Sequence, residues 1–497
     1  MTRLQTTSEA ASWLHARVTG SVFADSRKVG AGDGFIAWPG GVTDARQYVG
    51  DVLKAGALAC LVEEGDVERY GFKDPRIATY SGLKAAAAPI AAAYFEQPGR
   101  SLQMVAVTGT NGKTSTAWWL AQALAKVGRR CGVVGTLGIG EPAALVFNGL
   151  TTPDPVLLQQ QLRRFADVGF SACVIEASSI GIAEKRLDAT PFQVAIFTNF
   201  TQDHLDYHGS MAAYWDAKKS LFDWPGLQAA VLNMDDAKGE ELRAALMPSG
   251  LDVWTVSTGK PARLRADCIS QSGDGLVFDV LEGATRLRIA TPTAGLYNVS
   301  NLLGVLAAMR ALGISLDAAA YACENLSPVP GRLDMLALPG LPLVAIDYAH
   351  TPDALEKVLL ALKPVAQARA GRLWCLFGCG GNRDVSKRPL MAAAAQKHAD
   401  HIVVTSDNPR GESAAAIIRQ IVSGLSSFSG SDSVWVEADR ALAIAQTLQR
   451  AHPADVVLLA GKGHESYQEI GAIKHPFSDR SHAESALAAR LAARATP

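Results

Sequence analysis

The sequence predicts an α/β protein of three domains built around mostly parallel sheets. The chain has 497 residues, and at about 150 residues per domain this length suggests three domains. After residue 98, short apolar runs repeatedly end in polar or glycine residues, and helical periodicity usually follows. Strands buried on both faces give continuous apolar runs of this kind. Such sheets bind ligands beyond the carboxyl ends of their strands, where these polar clusters would lie.

Two clusters of proline and glycine divide the chain into these domains. The first, Gln97-Pro98-Gly99, precedes a strand predicted at residues 104–107. The second, at residues 327–331, follows a helical pattern over residues 298–312 and precedes a new series of strands. We therefore expect domains at residues 1–98, 99–331 and 332–497.

The charge balance argues against binding to nucleic acid or to an anionic membrane surface. There are 47 Lys and Arg against 48 Asp and Glu, a net charge of -1, so no basic excess is available to neutralise phosphates.

The seven cysteines cannot all pair. The opening MTRLQTTSEA does not resemble a signal peptide, and no apolar run reaches the roughly 18 residues of a membrane helix. We expect a cytoplasmic monomer that binds small molecules.

A phosphate-binding loop is predicted at residues 108–114, TGTNGKT, between a strand and a helix at residues 115–126. Glycines let backbone N–H groups surround phosphate oxygens at a helix N-terminus, Lys113 adds a positive charge, and Thr114 can reach Mg²⁺. The general pattern would place its first glycine at Val107, so this loop is a shorter variant. The alternative is a glycine-rich turn without a ligand.

Candidate metal ligands follow two other strands. Glu176 ends one strand, and the segment DHLDYH at residues 203–208 follows another. Mg²⁺ prefers oxygen ligands and accepts an occasional His beside phosphates and water. The alternative is a polar turn with capping carboxylates. Lys218 lies on a helical stretch beside Lys219, and from the residues alone both are expected to be solvated helix lysines.

A zwitterion-binding site is predicted in the third domain. DNPR at residues 407–410 and GKGHE at residues 461–465 follow two strands that we expect to be neighbours, and GGNR at residues 380–383 follows a third. Arg side chains bind carboxylates and acidic side chains bind ammonium groups, although such turns are also common scaffolding. Cys375 and Cys379 have poor spacing for zinc and are expected to be buried thiols.

The motifs TGTNGKT, EASS, TNFTQDHLDYHG, YNVSNLLG, GRLD, DYAHTPD, DNPRGE and GKGHE together resemble those of the Mur ligase family. They occur in the family's order, and the resemblance extends from DSR at residues 25–27 to SDR at residues 478–480. It implies an N-terminal domain for the UDP end of a substrate, a central P-loop ATPase-type domain with a mostly parallel sheet, and a C-terminal Rossmann-like domain for an amino acid.

The resemblance is strongest to the members that add 2,6-diaminopimelate, and it implies an ATP-dependent amide ligase of peptidoglycan precursor synthesis. The D-Glu carboxylate of UDP-N-acetylmuramoyl-L-alanyl-D-glutamate would attack ATP to give an acyl phosphate, and the amine of meso-diaminopimelate would displace phosphate. Two Mg²⁺ ions and a Lys218 carbamate formed from CO₂ are implied as cofactors.

The resemblance also implies site residues. The catalytic residues would be Lys113, Lys218 and His204, and the metal ligands would be Thr114, Glu176, His204 and Lys218. ATP would be bound by Gly109, Thr110, Asn111, Gly112, Lys113, Thr114, Ser115, Asn298, Arg332 and Asp347. The UDP-muramoyl dipeptide would be bound by Ser26, Thr151, Thr152, Ser179, Glu184 and Arg186. Diaminopimelate would be bound by Arg383, Asp407, Asn408, Pro409, Arg410, Gly461 and Glu465.

The chain departs from the family pattern at a few positions. Ile180 stands where many relatives have His, Glu184 where Gln is frequent, and Gly41-Val42 where a His-Gln pair occurs. These departures bear on individual substrate contacts and not on the reaction.

Other activities remain as alternatives. Lysine lacks the distal carboxylate of diaminopimelate, so a buried Arg410 left unpaired by lysine should cost about 2–5 kcal/mol, which favours diaminopimelate over an L-lysine-adding ligase. A folylpolyglutamate synthetase lacks a dedicated UDP-binding domain, and neither it nor the ligase that adds a D-alanyl dipeptide accounts well for DNPR. A nucleotide-dependent switch is disfavoured because no [NT]-K-x-D motif accompanies the loop.

Overall fold

The computed structural model describes residues 1–41, 43–272, 275–426 and 433–495, and the α/β class predicted from the sequence is confirmed. The strands form three large sheets from consecutive stretches of the chain, which we call the first, second and third domains. No helix within the described ranges is long and apolar enough to cross a bilayer.

The first domain is a parallel sheet covered on both faces. Its elements are β1 (Thr2–Leu4), α1 (Thr7–His15), β2 (Val22–Phe23), β3 (Gly34–Ala37), α2 (Val49–Lys54), β4 (Ala59–Glu63), β5 (Ile77–Tyr80) and α3 (Leu83–Tyr94). The strand order is β1-β5-β4-β3-β2, with every pair parallel. Two apolar clusters pack against the sheet, which explains continuous apolar runs such as that of β4.

The second domain is built on one sheet of eleven strands. The strands are β6 (Gln103–Thr108), β7 (Cys131–Gly135), β8 (Gly138–Glu141), β9 (Ala144–Val146), β10 (Ala172–Glu176), β11 (Val194–Phe197), β12 (Ala229–Asn233), β13 (Asp252–Ser257), β14 (Leu264–Ser272), β15 (Gly275–Glu282) and β16 (Thr285–Thr291). The helices are α4 (Lys113–Lys126), α5 (Pro155–Asp167), α6 (Ser179–Ala183), α7 (Leu205–His208), α8 (Met211–Lys219), α9 (Ala237–Leu246), α10 (Tyr297–Ala311) and α11 (Leu316–Glu324).

The centre of this second sheet positions the functional loops. The order is β16-β15-β14-β13-β12-β11-β6-β10-β7-β8-β9, so β6 lies inside the sheet between β10 and β11, and both pairs are parallel. Antiparallel strands extend the sheet at both edges. The loops after β6, β10 and β11 therefore meet at one edge, as the sequence predicted.

The third domain is a six-stranded sheet with a separate hairpin. Its strands are β17 (Asp334–Leu336), β18 (Leu343–Asp347), β19 (Leu373–Phe377), β20 (His401–Val404), β21 (Val434–Val436), β22 (Val456–Ala460), β23 (Tyr467–Ile470) and β24 (Ile473–Pro476). Its helices are α12 (Pro352–Ala368), α13 (Lys387–His398), α14 (Ala414–Val422), α15 (Arg440–Arg450) and α16 (Asp479–Ala495). Cys375 and Cys379 are buried thiols, as predicted, and burial raises the pKa of Cys379 to about 12.

One prediction about this third sheet is wrong. The strands before DNPR and GKGHE were expected to be neighbours, but the order is β17-β18-β22-β19-β20-β21. Strand β19, which precedes GGNR at residues 380–383, lies between β20 and β22. The three loops still meet at one edge because all three strands are parallel, and GGNR occupies the middle position.

Candidate active site

The loop after β6 has the geometry of a phosphate cradle. Gly112 has a φ of 85°, and a Cβ atom on it would lie 2.4 Å from Asn301 Oδ1, so only glycine fits there. The helix begins at Lys113, two residues earlier than predicted. The ammonium of Lys113 donates hydrogen bonds to the carbonyl oxygens of Gly109 and Thr110, each at 2.8 Å. The loop therefore holds the ammonium of Lys113 at the N-terminus of a helix, a place that suits a phosphate group.

Thr114 links the loop to a buried carboxylate and to the third domain. Its hydroxyl donates to Glu176 Oε2 at 2.9 Å and accepts a hydrogen bond from Arg332 Nη2 at 3.0 Å. Glu176 is 1% exposed and also accepts a hydrogen bond from the backbone N–H of Thr136 at 2.8 Å. Two predicted metal ligands thus lie side by side at the end of the phosphate loop.

Lys218 differs sharply from its neighbour Lys219. Lys218 is 1% exposed and its ammonium donates to the Gly109 carbonyl oxygen at 2.7 Å, whereas Lys219 is partly exposed. The interpretation of Lys218 as a solvated helix lysine is therefore wrong. Burial lowers its pKa well below the ordinary value, and the positive charge of Lys113 lowers the pKa further, against the opposing charge of Asp203. The lowered pKa increases the share of neutral amine beside the phosphate loop.

His204 and Asp203 lie next to these lysines. Burial lowers the pKa of His204 to about 3 against the opposing charge of Asp203, and the charge of Lys113 lowers it further. The imidazole is therefore neutral, which is the form that binds metals. His204 has a φ of 53°, a left-handed conformation that is uncommon for a residue other than glycine.

Asp203 lies close to two basic side chains of the third domain. Its carboxylate lies 3.5 Å from Lys387 Nζ and 3.6 Å from His350 Nε2. Burial alone would raise the pKa of Asp203, but the nearby His350 and the charge of Lys387 hold it well below the ordinary value. The second and third domains are therefore joined across the site by buried charges.

Two adjoining cavities connect the phosphate loop with the third-domain loops. The first cavity, of about 430 Å³, is lined by residues 110–115 of the loop and by Glu176, Arg332 and Asp347. The second cavity has a volume of about 330 Å³. It lies between the residues predicted to bind the UDP-muramoyl dipeptide, which we call the acceptor side, and those predicted to bind diaminopimelate, which we call the amino-acid side. Both cavities are lined by Thr136, Thr151, Ser178, Asp203, His204, Tyr348 and His350. The shared lining makes them parts of one cleft.

Most of the predicted substrate residues face this cleft. On the acceptor side the lining includes Thr151, Thr152, Ser179 and Arg186. On the amino-acid side it includes Arg383, Asp407, Asn408, Arg410, Gly461 and Glu465. Glu465 Oε2 accepts a hydrogen bond from Asn408 Nδ2 at 2.8 Å, so these two loops contact each other directly.

Arg410 is already paired within the protein. Its Nε donates to Glu469 Oε2 of β23 at 3.1 Å, and its Nη1 donates to the Gly381 carbonyl oxygen at 3.0 Å. The sequence argument assumed that lysine would leave this arginine unpaired. That assumption is wrong, and the energy by which Arg410 alone discriminates against lysine is correspondingly smaller than expected.

Several predicted site residues do not line either cavity. They are Ser26, Gly109, Glu184, Asn298 and Pro409. Glu184 instead forms an ion pair with Lys84 of the first domain at 2.6 Å. Asn298 accepts a hydrogen bond from Asn301 Nδ2 at 2.8 Å, so it supports a residue that does line the first cavity. Of the departing positions, Val42 lies outside the described residues.

Sequence comparison identifies relatives along nearly the whole chain. Residues 107–309 match the Mur ligase middle domain, and residues 331–463 match the Mur ligase, glutamate ligase domain. A UDP-N-acetylmuramoyl-L-alanyl-D-glutamate--2,6-diaminopimelate ligase of Acidovorax sp. (strain JS42) is 58% identical over 98% of both chains. The chain belongs to the Mur ligase family.

Solved structures of Mur ligases share this architecture. A structure of UDP-N-acetylmuramoyl-L-alanyl-D-glutamate--2,6-diaminopimelate ligase is 33% identical, covers 95% of each chain and has a TM-score of 0.62. A MurF ligase from Thermotoga maritima in complex with ADP is 19% identical, covers 96% of this chain and 99% of that chain, and has a TM-score of 0.69. The similarity to the MurF ligase concerns the fold.

The donor set of this Mur ligase suits magnesium held jointly with phosphates. Within the described ranges, no group of three or more His, Cys, Asp or Glu side chains is arranged to hold a metal on its own. Thr114, Glu176 and a neutral His204 nevertheless border the phosphate cradle. Mg²⁺ usually binds through one or two carboxylates together with substrate phosphates and water, which matches this sparse set.

Sequence reasoning missed several residues that this Mur ligase brings into or beside the cleft. Tyr348, His350, Lys387 and Asn301 line it, and Lys462 lies directly behind it. Tyr348 and His350 belong to the motif DYAHTPD, so their place after a buried strand was a usable signal. Lys462 likewise belongs to the motif GKGHE after a buried strand, whereas Lys387 carried no local signal, because its burial depends on packing between distant elements.

Proposed function

We propose that this Mur ligase uses ATP to join meso-diaminopimelate to the D-Glu of UDP-N-acetylmuramoyl-L-alanyl-D-glutamate in peptidoglycan precursor synthesis. One observation carries the proposal: a single cleft connects the phosphate cradle with a cluster of acidic and basic side chains suited to a zwitterion. The curated relative that is 58% identical is named for this reaction. We further propose that the chain acts in the cytoplasm as a monomer on small molecules alone.

The first chemical step is the transfer of a phosphoryl group to a carboxylate. The D-Glu carboxylate attacks the γ-phosphorus of ATP, giving an acyl phosphate and ADP. Carboxylate and triphosphate repel each other, so cations must neutralise both. Lys113 supplies one such charge at the cradle. Magnesium, held by Thr114, Glu176 and His204 together with phosphates, would supply the remaining neutralisation.

The burial of Lys218 suits formation of a carbamate. Its neutral amine can attack CO₂, forming an N–C bond as one C–O π bond opens and one proton is released, which converts a neutral side chain into a carboxylate. That carboxylate would lie beside Gly109 of the cradle and would be available to a second magnesium ion. A protonated amine has no lone pair for this reaction, so the lowered pKa of Lys218 is the enabling property.

The second chemical step is attack by the amine. The amine of diaminopimelate attacks the acyl carbon, the tetrahedral intermediate expels phosphate, and an amide results. Asp407 and Glu465 offer carboxylates for ammonium groups, and Arg383 and Arg410 offer guanidinium groups for carboxylates. The acyl phosphate is labile in water, so contacts that close the third domain over the second protect it.

A substrate panel tests this proposal. ADP release would be measured with the UDP-muramoyl dipeptide as acceptor and either meso-diaminopimelate or L-lysine as the amine. The same assay would be repeated with the acceptors used by folylpolyglutamate synthetases and by ligases that add a D-alanyl dipeptide. We expect turnover only with the muramoyl dipeptide and a strong preference for diaminopimelate. Comparable turnover with L-lysine would refute the assignment of the amino acid. ADP release without an acceptor and an amine would favour a nucleotide switch.

A further inference from the structure

Lys462 is a fully buried cation that the proposed chemistry does not use. Its side chain is 0% exposed, and it does not line either cavity of the cleft. Its ammonium donates to Asn408 Oδ1 and to Glu465 Oε2, each at 3.0 Å, and lies 3.7 Å from Asp407 Oδ1. Lys462 therefore touches three residues of the amino-acid site from behind.

The backbone around Lys462 is shaped to place it there. Gly461 has a φ of 112°, and a Cβ atom on it would lie 2.8 Å from Asp407 Oδ2. The glycine lets the loop after β22 approach the loop after β20 closely enough for the ammonium to contact both. A buried cation is costly unless it is paired and hydrogen-bonded, and here acidic partners from both loops meet that requirement.

One carboxylate oxygen of Asp407 has no hydrogen-bond donor among the described residues. Its Oδ1 atom is buried and accepts no hydrogen bond from the described residues, although Lys462 lies 3.7 Å away. A buried carboxylate oxygen without a donor is uncommon in native proteins. The ammonium of a bound amino acid supplies a suitable donor, so Lys462 holds the carboxylate in place without occupying this oxygen.

The amino-acid site has a net charge of zero when Lys462 is included. Arg383, Arg410 and Lys462 contribute three positive charges, and Asp407, Glu465 and Glu469 contribute three negative charges. We propose that Lys462 is a positioning residue that orients Asp407 and Glu465 and, by keeping this set neutral, selects the net-neutral diaminopimelate over the cationic lysine. This inference rests on the proposed function.

The ratio of kcat/KM for meso-diaminopimelate to kcat/KM for L-lysine isolates this effect. The two amino acids share both amino groups and one carboxylate, and they differ only in the distal carboxylate. A loss of packing or of an ammonium contact affects both substrates alike, whereas a change in site charge changes the binding of the cationic lysine more than that of the net-neutral diaminopimelate. The ratio therefore separates an electrostatic role from a merely structural one.

The test compares Lys462→Met with Lys462→Arg, which keeps the charge. For Lys462→Met we expect the ratio to fall about tenfold or more, because the site gains a net negative charge that attracts lysine. We also expect a rise in KM for diaminopimelate and an unchanged KM for ATP, because the cradle is not in contact with Lys462. Lys462→Arg should keep most of the wild-type ratio.

A compensating variant completes the test. Glu465→Gln combined with Lys462→Met removes one charge of each sign and should restore much of the ratio, whereas Glu465→Gln alone should raise it. If Lys462→Met does not fold, Lys462→Gln, which can still donate hydrogen bonds, carries the same expectation. An unchanged ratio in the neutral variant overturns the inference. Wild-type protein that does not use diaminopimelate at all overturns the proposed function instead.

Discussion

Asn111 of the phosphate loop donates a hydrogen bond from Nδ2 to Asp353 Oδ2, on the first turn of α12 in the third domain, at 2.9 Å. The two residues are 242 positions apart in the chain. This bond, with the Thr114–Arg332 bond and the Asp203–Lys387 ion pair, holds the third domain against the nucleotide side of the cleft.

Removing Asp353 should loosen this closed arrangement. We expect Asp353→Ala to increase the radius of gyration of the ligand-free protein in small-angle X-ray scattering, because the link to Asn111 is lost. Lys357→Ala is the matched control, since Lys357 pairs with the same carboxylate at 2.9 Å from within α12. Identical scattering from Asp353→Ala and wild type would show that this bond does not contribute to closure.

Lys218 should be essential and Lys219 dispensable. We expect Lys218→Ala to abolish amide formation, because its buried amine lies at the cradle, and Lys219→Ala to retain most of the activity. Wild-type protein given ¹³C-bicarbonate should show a carbamate signal by NMR that Lys218→Ala lacks. A bare amine at Lys218 in active enzyme would count against the carbamate.

His204 should make stability depend on pH below about 6.5. Its folded pKa is lowered from 6.5 to about 3, so the unfolded chain binds the proton more readily, and the stabilisation present above pH 6.5 is lost as the pH falls toward 3. The slope is at most about 1.4 kcal/mol per pH unit for one group. The free energy of unfolding would be measured with urea at pH 7.5 and at pH 5.5. Between these two pH values it should fall less for His204→Asn than for wild type. The exposed His475→Asn variant serves as the control and should match wild type.

The ion pair of Arg440 and Asp479 should stabilise the third domain because each buried charge compensates the other. Both side chains are 0% exposed, and two hydrogen bonds of 2.7 Å join them. We expect Arg440→Met to lower the free energy of unfolding by about 3–5 kcal/mol, because an uncompensated carboxylate is left buried. Combining it with Asp479→Leu should recover much of that loss in denaturant unfolding. Equal losses in the single and double variants would contradict this account.

The sequence could predict the elements that carry the site better than the contacts between them. The strand and helix around Lys113 were predictable because glycines, a buried strand and helical periodicity are local signals. The contrast between Lys218 and Lys219 was not, since it depends on which face of α8 meets the loop after β6. The Arg410–Glu469 pair escaped prediction for the same reason, because it joins a loop to a distant hairpin.

The order of the strands within a sheet is a second feature that could not be predicted from the sequence. Continuous apolar runs show that strands are buried, and the polar residues after them show where each strand ends. Neither signal determines which strand lies beside which, so β19 was not expected between β20 and β22. The domain bounds and the roles of the individual site residues stay predictions until substrates are bound or residues are changed.

Isotope transfer tests the central claim most directly. The D-Glu carboxylate of the UDP-muramoyl dipeptide would be labelled with ¹⁸O, and the phosphate released during amide formation would be analysed by mass spectrometry. Attack of that carboxylate on ATP predicts one labelled oxygen in each phosphate, with label released only when ATP, dipeptide and diaminopimelate are all present. Phosphate without label would contradict an acyl phosphate and with it the joint site for nucleotide, acid and amine.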